Sequence, residues 1–228
     1  MKVSVIIPAY NEAGGIAETV KEVHSRGGED VLEIIVVDGG SDDQTLEEAA
    51  KAGAKKLQSP RKGRASQMNY GAERAQGSLL YFLHADSCPP AYFTSAIQQA
   101  VQTGCDAGCF RLAFDDNCWL LGVYAWFTRF NVDLFRFGDQ SLFITRAAFL
   151  RAGGFREDHL IMEDQEMVRR IKRSSSFAVL DDSVTTSARK YRKTGVIKLQ
   201  LVFGLILVLY YLGIGQDRLV VLYKRLIQ

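Results

Sequence analysis

Short apolar runs alternate with helical patterns through the first half of the chain. The runs at 3–7, 33–37 and 79–83 are rich in β-branched and aliphatic residues, as is typical of strands buried on both faces of a sheet. Between them, apolar residues recur at helical spacing, which predicts a mostly parallel, doubly wound α/β sheet flanked by helices. The predicted helices are 16–23, the region around 46–50, 65–75 and 90–102, and a weaker strand is predicted at 56–58.

The pattern changes after residue 104. Strands are predicted at 106–114, 141–145 and 183–187, and helices at 146–152 and 163–173. The stretch 118–137 is rich in aromatic residues. From 196 to 214 the chain is almost wholly apolar, and a last amphipathic helix is predicted at 217–227. We therefore predict a main domain at 1–195 and an apolar helical appendage at 196–228.

Composition excludes several classes of protein. The 228 residues are 47% hydrophobic and 24% charged, which is ordinary for a globular protein and not for a disordered or collagen-like one. A net charge of +2 gives no support for a nucleic-acid partner. The four cysteines form no CxxC pair, and the first apolar run is broken by Pro8, so neither a disulfide framework nor a secretion signal is predicted. We expect a cytoplasmic protein, with or without attachment to the cytoplasmic face of the membrane.

Polar, turn-forming residues follow three of the predicted strands. In an open parallel sheet, ligands bind beyond the carboxyl ends of the strands, where the strand order reverses. The three clusters are therefore expected to form one site. They are Pro8, Ala9, Tyr10, Asn11 and Glu12 after the first strand, Asp38 and Gly39 after the second, and His84, Ala85 and Asp86 after the strand at 79–83.

These residue types favour a nucleoside diphosphate as the ligand. No GxGxxG follows the first strand and no GxxxxGK[ST] occurs, so dinucleotide and P-loop sites are not predicted. Tyr10 can stack on a base, and Asp38 can accept a hydrogen bond from a base or a ribose. Asp86 is a suitable oxygen ligand for Mg²⁺ or Mn²⁺, and the basic residues at 61–64 can neutralise phosphates.

The motifs resemble one enzyme family. The segments VSVIIPAYNE, EIIVVDGGSDD and GRASQMNYGAERAQGSLLYFLHADS are similar to those of the family-2 inverting glycosyltransferases, which have the GT-A fold. The blocks at 138–140 (GDQ), 153–155 (GGF) and 162–164 (MED) resemble a short bacterial subset of that family. The resemblance covers roughly residues 2–195. It implies a metal-assisted transfer of a sugar from a nucleoside-diphosphate sugar to a hydroxyl acceptor.

The resemblance also implies roles for individual residues. Residues 8–12 line the nucleoside pocket, Asp38 holds the base, Arg64 and Asn69 border the diphosphate, and Asp86 binds the metal. Asp164, next to Glu163, matches the catalytic base, and Arg189 or Arg192 closes over the leaving group. A role of these two arginines at a membrane interface is equally open. His84 stands where the family usually has the first aspartate of its Asp-x-Asp signature, which leaves one carboxylate for the metal.

Two other functions remain open from the sequence. A sugar-phosphate nucleotidyltransferase is built on a related sheet, but it normally has a basic residue in the loop after the first strand, and PAYNEAGG has none. A non-catalytic module that binds nucleotide sugars at a membrane is the other alternative.

The charge is unevenly distributed along the chain. Residues 187–228 contain eight lysines and arginines and one acidic residue, and they include the apolar run. Three interpretations are open for this segment: an interfacial or re-entrant membrane anchor, a helix pair buried in a homo-oligomer, or a membrane span. The uncharged run from Leu201 is shorter than the ~20 residues that a span requires. Membrane attachment would favour a lipid or a lipid-linked sugar as the acceptor.

Overall fold

The computed structural model describes residues 1–136 and 138–227. Within these residues the strands are β1 (Val3–Ala9), β2 (Val31–Asp38), β3 (Lys55–Gln58), β4 (Leu79–Phe82), β5 (Ser87–Cys88), β6 (Ala107–Phe114), β7 (Leu142–Thr145) and β8 (Phe177–Thr186). The α-helices are α1 (Ile16–Gly27), α2 (Thr45–Lys51), α3 (Arg64–Arg74), α4 (Phe93–Gln102), α5 (Trp119–Phe127), α6 (Arg146–Ala152), α7 (Glu163–Ile171), α8 (Arg189–Thr194), α9 (Val196–Tyr211) and α10 (Gln216–Ile227). The aromatic stretch ends on Phe137, which lies outside the described residues.

The strands form one mixed sheet in the order β3-β2-β1-β4-β7-β6-β8-β5. Strands β3, β2, β1 and β4 run parallel to one another, and β6 and β8 are also parallel. Strand β7 is antiparallel to both β4 and β6, and β5 is antiparallel to β8. The predicted α/β sheet is confirmed. Strand order reverses at β1, because the chain moves outward from β1 to β3 and then returns to place β4 on the other side of β1.

Both faces of the sheet are covered, and the alternation along each strand shows how. In β1, Val3, Val5 and Ile7 belong to one core cluster, whereas Ile6 belongs to the other. The first cluster packs under α1, α2 and α4, and the second packs under α3, α6 and α7. Strands buried on both faces need apolar residues at successive positions, which explains the nearly continuous apolar runs in the sequence.

The starts of two elements differ most from the sequence prediction. The helix predicted from residue 90 begins at Phe93, because Tyr92 has a positive φ of 56° and ends the preceding turn. The strand predicted at 183–187 begins at Phe177. Its exposed acidic residues, Asp181 and Asp182, interrupt the apolar pattern. The short strand β5 was not predicted, because two residues carry no periodicity.

The C-terminal residues form an antiparallel hairpin of α9 and α10. Phe203 stacks on Tyr223 at a centroid distance of 6.1 Å, and Ile206 and Leu219 are buried together in one cluster. The start of α9 packs on the main domain, because Leu199 is buried with Leu121 of α5. Among the described residues, no helix has both the length and the apolar character that crossing a bilayer requires.

Candidate active site

The turns that follow β1 and β2 are linked to each other by hydrogen bonds. Asn11 donates its backbone N–H to Ser41 Oγ (2.9 Å), and its side-chain Oδ1 accepts from the Asp42 N–H (3.0 Å). The backbone N–H of Glu12 donates to Thr45 Oγ1 (2.9 Å). Asn11 has a positive φ of 54°, a conformation that asparagine tolerates better than most residues. We call these two hydrogen-bonded turns the rim. The exposed ring of Tyr10 lies beside it, whereas Pro8 and Ala9 are buried at the end of β1.

Asp38 is nearly buried and organises the second turn. Its Oδ2 accepts hydrogen bonds from the backbone N–H groups of Gly40 (2.8 Å) and Ser41 (2.9 Å), and its Oδ1 accepts from Ser41 Oγ. Gly39 donates its N–H to the Ala9 carbonyl (2.9 Å). The predicted base-binding residue therefore also fixes the shape of its own turn.

Gln67 was not predicted as a site residue. Its buried side-chain amide donates to the carbonyl of Ala9 (2.8 Å) and to that of Val37 (2.7 Å). It thus joins α3 to the ends of β1 and β2. A lone glutamine in a helical pattern gives no signal that it satisfies two backbone carbonyls of distant strands.

The residues that follow β4 lie beside the start of α8. Asp86 Oδ2 is 3.5 Å from Arg189 Nη2, and the same arginine nitrogen donates a hydrogen bond to Glu12 Oε1. Strand β5 produces this arrangement, because its pairing with the end of β8 carries the following residues towards Asp86. The structure therefore brings together three of the predicted site residues from widely separated parts of the chain.

His84 forms a pair with an aspartate of the 138–140 block. Its Nδ1 lies 2.9 Å from Asp139 Oδ1. Burial lowers the pKa of the imidazole, but the hydrogen bond and the charge of Asp139 outweigh burial, so the pKa is raised overall. Burial raises the pKa of Asp139, and the hydrogen bond and charge of His84 outweigh that effect and lower it. Asp139 belongs to the GDQ block at 138–140, but the sequence did not predict it as a site residue.

The first turn of α7 carries the two predicted catalytic carboxylates. Asp164 Oδ2 lies against the backbone of Gly138, where a Cβ atom would be 2.0 Å from it and 2.9 Å from His84 Cε1. Asp164 is thus close to His84 and is only partly buried. Asp164 is the second residue of α7, so its carboxylate lies at the N-terminus of that helix.

Glu163 is 1% exposed and faces Arg64, whose side chain is 47% exposed. The Arg64 Nε to Glu163 Oε1 distance is 2.7 Å, but neither carboxylate oxygen has a hydrogen-bond partner among the described residues. Burial raises the pKa of Glu163, Arg64 opposes that effect, and the charge of Asp164 adds to it, so the pKa is raised. The charge of Glu163 in turn raises the pKa of Arg64. This pair joins α3, the predicted diphosphate-binding helix, to the helix of the predicted base.

Two other predicted site residues have structural partners. Asn69 Nδ2 donates to the Phe155 carbonyl (2.8 Å), and its Oδ1 accepts from the Phe155 N–H (2.8 Å). It therefore holds the segment that follows the GGF glycines. Arg192 contacts Asp115 (3.2 Å) and Asp116 (3.1 Å). Of the two arginines predicted to close over the leaving group, Arg189 is the one that the structure places at Asp86.

The surroundings of Asp86 fit a divalent cation for which a phosphate supplies some of the ligands. Burial raises the pKa of Asp86, and the charges of Asp139 and Glu12 add to this effect against those of His84 and Arg189. A bound cation would stabilise the ionised form of a carboxylate in such a setting. In the part of the chain that the structure describes, however, no cluster of three or more His, Cys, Asp and Glu residues is arranged to hold a metal ion. Phosphate and water would have to complete the ligands.

The chain belongs to a known enzyme family. Residues 4–156 match the family described as Glycosyl transferase family 2, which is more than half of the chain. The uncharacterized glycosyltransferase Rv1514c of Mycobacterium tuberculosis (strain ATCC 25618 / H37Rv) is 40% identical over 86 residues. That match covers 36% of this chain and 33% of the relative, so the similarity spans only about a third of the length of each protein.

Solved structures show the same fold. The mannosyltransferase PcManGT from Pyrobaculum calidifontis, in complex with GDP-Man and Mn²⁺, superposes with a TM-score of 0.70 at 20% identity, covering 90% of this chain and 62% of that one. TarS 1–349 of S. aureus, in complex with UDP-GlcNAc, superposes with a TM-score of 0.67 at 18% identity, covering 83% of this chain and 59% of that one. The fold is therefore the GT-A, Rossmann-like arrangement that the resemblance implies.

Proposed function

We propose that this protein transfers a glycosyl group from a nucleoside-diphosphate sugar to a hydroxyl acceptor, with inversion at the anomeric carbon. Family membership supports glycosyl transfer, and the bound GDP-Man and UDP-GlcNAc of the structural neighbours support the donor class. The observation that carries the proposal is the convergence of Asp86, Arg189, His84 and Asp164 where the strand order reverses.

Each group has a role that its surroundings suit. The rim at Tyr10 and Asn11 would take the nucleoside, and Arg189 would neutralise charge on the departing diphosphate. Asp164 would accept the proton of the incoming hydroxyl. Direct displacement by that hydroxyl inverts the anomeric centre.

A divalent cation, Mg²⁺ or Mn²⁺, fits this scheme at Asp86. When bound, it would supply Lewis-acid stabilisation of the diphosphate leaving group. The Mn²⁺ in the PcManGT complex is consistent with this assignment. In this chain Asp86 would hold the cation, and Arg189 would have to move from its position between Asp86 and Glu12 to contact the phosphates.

The proposal is tested by replacing the base. Asp164→Asn removes the proton acceptor but keeps the size of the side chain, so turnover should fall by about 10²-fold or more. Nucleotide binding should stay within about twofold, because Asp164 faces the acceptor side in this scheme. Turnover is measured as nucleoside-diphosphate release from a panel of UDP-, GDP- and dTDP-sugars, with and without Mn²⁺. The acceptors screened should include lipid-linked hydroxyls and water.

Asp158→Asn is the matched control, because Asp158 is an exposed aspartate shortly before α7 that pairs with Arg156 on the surface. Equal turnover in wild type and Asp164→Asn would contradict the assignment of the base. Release of pyrophosphate from a nucleoside triphosphate and a sugar phosphate would instead indicate the nucleotidyltransferase. Donor binding without any turnover would indicate the non-catalytic module.

A further inference from the structure

An uninterrupted row of exposed apolar side chains runs along α9. Its members are Ile197, Leu201, Leu205, Val208 and Leu212, and their exposed fractions lie between 43% and 72%. Steps of three and four residues place all of them on one face of the helix. A helix of 16 residues is about 24 Å long, so the row forms an extended strip and not a single protruding residue.

The opposite face of α9 is firmly packed. Leu199, Val202 and Ile206 are buried, and Leu219 of α10 packs against the last two. The loop before α7 is also tied to the hairpin, since Gln216 Oε1 accepts hydrogen bonds from the backbone N–H groups of Leu160 and Ile161 (both 3.1 Å). The helix is therefore fixed with its apolar row turned outward.

Basic residues lie at the N-terminal end of this row. Lys198 is exposed on α9, three positions before Leu201 and therefore on the adjoining part of the helix surface, and Lys193 at the end of α8 is also exposed. Residues 187–228 contain eight lysines and arginines and a single acidic residue, Asp217. An apolar strip with an excess of positive charge complements an anionic lipid bilayer, because the acyl chains are apolar and the headgroups carry negative charge.

We propose that the α9–α10 hairpin docks on the surface of an anionic lipid bilayer. The apolar row of α9 inserts at the boundary of headgroups and acyl chains, and Lys193 and Lys198 contact the anionic headgroups. The helix lies in the plane of the interface, as its length of 16 residues requires.

Co-sedimentation of the full-length protein with vesicles tests the proposal. Vesicles of phosphatidylglycerol and phosphatidylcholine should bind the protein, and binding should fall at least tenfold on vesicles of phosphatidylcholine alone. The double variant Leu201→Gln/Leu205→Gln should weaken binding to the anionic vesicles by at least tenfold. The variant Lys193→Gln/Lys198→Gln should weaken it by about fivefold or more and should reduce its dependence on salt.

The chain offers matched controls. Leu150 on α6 has the same exposed fraction as Leu201, 69%, so Leu150→Gln removes an equally exposed leucine from a different surface and should leave binding unchanged. Lys55→Gln/Lys56→Gln on the edge strand β3 controls for charge. Circular dichroism and thermal melting of each variant establish that it is folded.

The remaining outcomes overturn the proposal. Failure to bind anionic vesicles would do so, and so would binding that persists in Leu201→Gln/Leu205→Gln. A dimer in sedimentation equilibrium that this variant dissociates, without vesicle binding, would assign the row to a second copy. Vesicle binding is measured without a donor, and nucleotide-sugar turnover is measured without vesicles, so failure of one assignment is distinguishable from failure of the other.

Discussion

Gly138 is the residue on which the position of the proposed base most directly depends. It leaves room for the Asp164 carboxylate, and a Cβ atom there would overlap Asp164 Oδ2 and contact His84. Even a methyl side chain at residue 138 must displace that carboxylate, because its Cβ atom would lie 2.0 Å from Asp164 Oδ2.

We therefore expect Gly138→Ala to reduce turnover by about 10²-fold, because small misplacements of reacting groups have effects of that size. Nucleotide binding and thermal stability should change little. Gly204→Ala is the control, since a Cβ atom on that α9 glycine meets nothing within 4 Å. Kinetics on both variants provide the measurement, and wild-type turnover in Gly138→Ala would show that Asp164 tolerates displacement.

Replacing Asp139 should change the pKa of His84. With Asp139 present, the pKa of His84 lies above its ordinary value of 6.5; in Asp139→Asn it should fall below that value, because burial then dominates. NMR titration of the His84 ring protons measures both midpoints, and the spectrum of His84→Gln assigns the signal. Two equal midpoints would contradict the pairing.

The His84–Asp139 pair should also make the free energy of unfolding depend on pH, with greater stabilisation at low pH. A raised histidine pKa stabilises the folded state below pH 6.5 and loses this effect as the pH rises through the folded-state pKa. The stability advantage of wild type over Asp139→Asn should therefore be larger at about pH 5.5 than at about pH 8.5. Urea denaturation at the two pH values measures it.

At the scale of elements, α3 and α7 are joined by a charge pair with one buried partner. Arg64→Met leaves the Glu163 carboxylate buried without a countercharge, so it should destabilise the fold by about 2–4 kcal/mol. Adding Glu163→Gln removes the uncompensated charge and should restore more than half of that loss. Urea denaturation of the two single variants and the double variant measures the coupling, and additive effects would show that the helices are not coupled here.

The sequence predicts the strands better than it predicts how the site is assembled. The buried strands and the exits after β1, β2 and β4 follow from periodicity and turn residues, both of which are local signals. The residues that contact these strand ends are distant in sequence. Asp139 reaches His84 across 55 positions, and Asn69 reaches Phe155 across 86. Such pairs depend on tertiary packing, and for this reason the hydrogen bonds of Asn69 to Phe155 do not follow from its motif.

At the scale of the whole molecule, the C-terminal hairpin shares its core with the main domain. Leu199 is buried together with Leu121 and Tyr191, and Val202 and Ile206 pack near Ile161. The apolar run that begins at residue 196 divides the sequence there, whereas these contacts cross that boundary.

A chain ending at residue 195 should therefore melt at least about 10 °C below the full-length protein, since it exposes apolar surface on both sides of the boundary. Differential scanning calorimetry of the two proteins measures the difference. Equal melting temperatures would show that the hairpin contributes nothing to the stability of residues 1–195.

The hydrogen bonds between the turns after β1 and β2 have a consequence for the thermodynamics of binding. Asn11 is linked to Ser41 and Asp42, and Glu12 is linked to Thr45. A nucleoside entering there meets a preorganised rim, so little conformational entropy is lost in ordering these loops. Calorimetry of nucleoside binding should accordingly show a smaller entropic penalty in wild type than in Asn11→Gly, which removes the side-chain bond to Asp42 and places a flexible glycine in the turn.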